Sequence, residues 1–82
     1  MTVKLFSRPL VIWRGESSDV LEIGSVEQAA NFLMADWSGE RDERHRDALD
    51  ACLKVLDGHR STVDAEKAVR EAALLAGILV QD

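Results

Sequence analysis

The chain has 82 residues, 46% of them apolar and 30% charged, with a net charge of −5 and a single cysteine. That length makes one domain, 1–82, with one core and little room for a deep private cavity, and the composition excludes a disordered chain. The acidic balance disfavours nucleic acid and anionic membrane surfaces as partners, and a lone cysteine excludes an internal disulfide and fits a reducing, cytoplasmic setting.

The N-terminal stretch reads as extended. It has no uninterrupted apolar segment before a cleavage site, so it does not read as a signal peptide. Leu10-Val11-Ile12-Trp13 is short, β-branched and aromatic, and it ends at Arg14-Gly15. Asp19 to Ile23 forms a second such run after Glu16-Ser17-Ser18, which predicts a β-hairpin. Pro9 is expected at the start of the first strand, where its missing N–H does no harm.

Ser25-Val26-Glu27-Gln28 is a capping box. The serine hydroxyl is expected to accept from the Gln28 amide while the Gln28 side chain returns to the Ser25 amide. Val26, Ala29, Ala30, Leu33 and Trp37 share one helical face, and Ser38-Gly39 ends the helix. A mixed charge run follows, in which Glu40 and Arg44 stand at i,i+4 spacing. A second helix is predicted from about Asp42 to Asp57, with His45, Ala48, Leu49, Cys52, Val55 and Leu56 as its apolar stripe and Gly58 just past its end. Ser61 caps a third helix whose small-residue face is Ala65, Ala68, Val69, Ala72, Ala73 and Ala76, and Gly77 stops it. Ile78 to Val80 is then a short strand joining the hairpin. The fold class is α+β, in the order β-β-α-α-α-β.

Cys52 and His45 pose the central chemical question. They lie seven positions apart on one helix, about 10.5 Å along its axis, whereas a nucleophile and its base need roughly 3 Å. Cys52 also sits mid-helix among apolar neighbours, far from the positive environment that activates a thiolate. It reads as core. His45, in the first turn of its helix near Trp37, reads as a half-buried side chain that hydrogen-bonds the backbone, with a shallow groove as the sharper alternative. The sequence has no CxxC, HxxxH or HExxH pattern, no glycine-rich phosphate loop and no GxSxG, so neither a catalytic constellation nor a metal or other cofactor is expected. Ser25 and Ser61 read as caps.

The blocks "SVEQAANFLMADW", "HRDALDACLKVLDG" and "AVREAALLAGILV" together resemble the domain-of-unknown-function 982 family, short alpha-proteobacterial proteins. The likeness spans about Pro9 to Val80. Trp37, Gly39, His45, Ala48, Cys52, Leu56, Gly58, Ala72, Ala73, Ala76 and Gly77 fall at the family's typical positions. Two departures stand out. Ser38 follows Trp37 where a proline is usual, and no phenylalanine precedes the Ala72-Ala73 pair. The resemblance implies a compact α+β domain and implies no activity.

The expected function is therefore non-enzymatic. The domain would bind a protein partner, or form a homodimer, through an exposed sheet face. Because Leu10 to Trp13 shows no alternation, that face is either Val11/Trp13 or Leu10/Ile12. The alternative is a small-ligand module with a groove near Trp37, His45 and Cys52. The binding residues named by these two readings are Val11, Trp13, Trp37, His45 and Cys52.

Overall fold

A computed structural model describes residues 4–13, 19–37 and 41–81. Strand β1 (Leu5–Trp13) is followed by β2 (Val20–Ser25), helix α1 (Val26–Asn31), a π-helical turn (Phe32–Asp36), α2 (Glu43–Leu56), α3 (Thr62–Ala76) and β3 (Leu79–Gln81). The sheet order is β2-β1-β3 with both pairings antiparallel. The expected β-β-α-α-α-β class holds. Among the described residues no helix is long and apolar enough to cross a membrane.

Each helix begins on a side chain that satisfies the amides its first turn leaves free. Ser25 Oγ accepts from Gln28 N at 3.2 Å, Asp42 Oδ1 accepts from the Arg44 and His45 amides, and Ser61 Oγ accepts from Asp64 N at 3.2 Å. One detail differs from expectation. The Gln28 side chain returns to Gly24 N (2.9 Å) rather than to Ser25 N. Ser25 is at once the last residue of β2, opposite Leu5, and the cap of α1, so the return bond closes one residue earlier.

Helices α2 and α3 stop in the same way. Gly58 (φ +83°) and Gly77 (φ +76°) take left-handed backbone that favours glycine. Past α2, Gly58 N donates to Val55 O and His59 N to Lys54 O; past α3, Gly77 N donates to Leu74 O and Ile78 N to Ala73 O. The second stop aims the chain directly into β3, and Ile78 O accepts from Trp13 N at 2.8 Å.

Strand β1 corrects the sequence reading. It starts at Leu5 and carries Pro9 in its interior, not at its beginning. The register against β2 slips between Leu5 and Leu10, so proline's missing donor falls where the ladder is already broken. From Leu10 onward the pairing is regular, with Leu10 opposite Ile23, Val11 opposite Glu22 and Trp13 opposite Val20. Arg14 to Ser18, the expected hairpin loop, lie outside the described residues.

The core is one cluster. Phe6, Leu10, Ile12 and Ile23 of the sheet meet Val26, Phe32, Leu33 and Trp37 of the first helical segment, with Ala48, Cys52, Val55, Ala65, Val69 and Ala73 from α2 and α3. The first helix does not run as one α-helix to Trp37. It widens into the π turn, and both Phe32 and Leu33 face the core. On α2 the buried stripe takes in Ala51, while Leu56, expected inside, is 42% exposed. On α3 the buried set includes Glu66, and Ala76 is exposed beyond the core's end. The small face of α3 lets it approach α2, and Arg44 spans the two helices to Glu71 at 2.8 Å. The expected partner Glu40 lies outside the described residues.

Candidate functional site

The first candidate surrounds His45. The Asp42 cap starts α2 three residues earlier and puts His45 in the first turn, facing inward. The residue is 3% exposed, and Nε2 lies 2.6 Å from Leu33 O. A carbonyl only accepts, so Nε2 carries the proton and donates it. Leu33 belongs to the π turn, and its carbonyl is held by α2's histidine. Trp37 packs against the imidazole at a centroid distance of 5.2 Å and against Phe32 at 5.7 Å, nearly edge-on.

Cys52 is fully buried on the same helix, and burial pushes its thiol up to about 11. Trp37, His45 and Cys52 are thus all interior, so they do not form the wall of an open groove. The imidazole is engaged by Leu33 O and by the Trp37 ring. A hollow of about 150 Å³ does lie between α2 and α3, but Arg44, Asp47, Ala68, Glu71 and Ala72 line it. A test follows for the thiol. Native protein at neutral pH will resist alkylation, and Cys52 will label only in denaturant; rapid native labelling would contradict this account of its burial.

A second buried polar group was not visible as a site in the sequence. Glu66 of α3 is 6% exposed. Its carboxylate accepts from Ser7 N at 2.7 Å, from Ser7 Oγ at 2.9 and 3.0 Å, and from Arg70 at 3.1 Å. Burial raises its pKa, but the Ser7 bonds and the Arg70 charge outweigh that and hold it below the ordinary carboxylate value. These bonds tie α3 to the irregular part of β1, next to Pro9. The available signal was Glu66's place between Ala65 and Val69 on the small-residue face, with Arg70 four residues on.

The remaining candidate is the sheet. Leu10 and Ile12 are fully buried beneath the helices, which settles the register left open by the sequence. The opposite face carries Val11 and Trp13. Val11 is half-buried, whereas Trp13 is 39% exposed, its cross-strand neighbour Val20 49% and Val80 of β3 39%. Val80 falls where the β1–β3 register shifts, between the Ile12–Leu79 and Val11–Gln81 pairs. Glu22 is exposed opposite Val11. Among the described residues no group of three or more His, Cys, Asp or Glu could hold a metal ion.

These features define a small α+β domain in which one layer of helices covers one face of a three-stranded antiparallel sheet. The chain belongs to the family described as "Protein of unknown function (DUF982)", which it matches over residues 8–80. No curated protein and no solved structure matches it.

Proposed function

We propose that this domain is a non-enzymatic association module that binds another protein chain through the outer face of its sheet. The observation that carries the reading is the pair of Trp13 and Val20 on the side of the sheet away from the helices, with Val11 beside it and the exposed Val80 on the neighbouring strand β3. Aromatic side chains at the centre of an apolar patch are the usual anchors of an interface. Several of the residues with reactive chemistry are engaged elsewhere. Cys52 is core, His45 bonds the backbone, and Ser25 and Ser61 cap helices. A lone cysteine, with no disulfide to form within the chain, is in keeping with a cytoplasmic setting.

Trp13→Ser tests the reading. The residue contributes little to the core, so the variant will melt within a few degrees of wild type. It will lose association, with either a partner or a second copy, by at least about tenfold. Undiminished association in a folded Trp13→Ser variant would contradict the proposal.

A further inference from the structure

The outer sheet face carries a charge that narrows what can lie on it, and the inference below rests on that face being the docking surface. Glu22 stands on β2 opposite Val11, two residues from Val20, while Trp13 stands opposite Val20. The indole and the carboxylate are therefore diagonal neighbours on one face, with Cα atoms about 7–8 Å apart. The carboxylates elsewhere that meet a cation do so on the helices: Glu71 with Arg44, Asp50 with Lys54, Asp64 with Arg60 and Glu66 with Arg70. Among the described residues no ion pair includes Glu22. Lys4 precedes the β1 register slip and Arg8 lies within it, and Arg8 is about 10 Å along the strand from Val11, the residue opposite Glu22.

A second copy seated face to face fits this surface poorly. Two chains of net charge −5 would approach each other, and each would bring an unpaired Glu22 into a drying interface, where an uncompensated carboxylate is costly. A cation has the reverse effect. A guanidinium is flat enough to stack on Trp13 and presents paired N–H donors that match a carboxylate such as Glu22. We propose that the outer face receives a segment of another protein in which an arginine is flanked by aliphatic residues. The guanidinium lies between Trp13 and Glu22, and the aliphatic neighbours cover Val11, Val20 and Val80.

The probe is a short blocked peptide alternating valine with arginine, with its glutamate counterpart as comparison, titrated calorimetrically into the intact domain at low ionic strength. The arginine peptide will bind at least about tenfold more tightly than the glutamate peptide, and added salt will weaken it. Glu22→Gln will lower its affinity about tenfold, and Trp13→Ala by a similar factor. Glu27→Gln removes the same net charge from exposed α1 surface and will have little effect. Equal loss in Glu22→Gln and Glu27→Gln, or equal binding of the two peptides, would overturn the cationic partner. If Trp13→Ala weakens binding but Glu22→Gln does not, the association reading stands and the arginine does not. A dimer in sedimentation that Trp13→Ala abolishes would put a second copy on the face and overturn this inference. If neither substitution matters, both readings fall. Thermal melts of each variant confirm that the domains compared are folded.

Discussion

His45→Ala will destabilise the domain by about 3 kcal/mol, enough to leave a domain of this size close to unfolding at room temperature. Two losses combine. Removing a buried imidazole leaves a cavity beside Trp37 and Phe32, and Leu33 O loses the donor 2.6 Å away. Loss of a hydrogen-bond partner by a buried polar group costs about 1–3 kcal/mol. In thermal unfolding the drop corresponds to roughly 12–24 °C for a domain of this length. His45→Phe separates the terms, because it keeps most of the volume and removes only the donor. It will recover part of the loss, and the remainder measures the hydrogen bond. A loss below about 1 kcal/mol for His45→Ala would mean that the histidine does not hold the π turn.

Glu66→Ala will be comparably damaging, by about 2–3 kcal/mol, because it strips acceptors from the Ser7 amide and hydroxyl together and removes the charge facing Arg70. The pH dependence carries a sign. Glu66 titrates lower in the folded chain than in the unfolded chain, so the unfolded state takes up its proton first as pH falls. The stability it provides is fully present above the ordinary glutamate value, roughly 4.3. It is lost progressively as pH drops through that value towards the lowered folded one. Denaturant midpoints between pH 7 and pH 3 will fall more steeply for wild type than for Glu66→Gln, which has no proton to gain. Parallel pH profiles for the two would show that the carboxylate is not held in its ionised form.

What the sequence made legible was mostly local. The caps at Ser25 and Ser61 and the stops at Gly58 and Gly77 each depend on bonds spanning a few residues, and the residue types announce them; Asp42 was legible as the start of α2, and its capping role came from the fold. The second strand was legible as well, and so was Trp37 as a core residue. What escaped depends on contacts between distant parts of the chain. Glu66 is paired with Ser7 across 59 positions, so only the folded chain reveals why a carboxylate sits on an alanine face. The π turn at Phe32–Asp36 was hidden because α-helical spacing already explained Leu33 and Trp37, and the extra inward residue, Phe32, did not conflict with it. Pro9 inside β1 depends on a register slip that strand propensity does not encode. Leu10 to Trp13 are all apolar, so no alternation could say which pair faced the helices; the fully buried Leu10 and Ile12 supply that answer. Of the candidate binding residues, Trp37, His45 and Cys52 proved interior, and Val11 and Trp13 fell together on the outer face.

The central claim is that the outer sheet face binds another chain, and native mass spectrometry tests it most directly. Protein purified gently from cells would be measured at low micromolar concentration, as wild type and as Trp13→Ser. The account predicts added protein mass on wild type, absent from the folded variant. A bare wild-type chain, an added mass of only a few hundred daltons, or protein mass retained equally by both would contradict it.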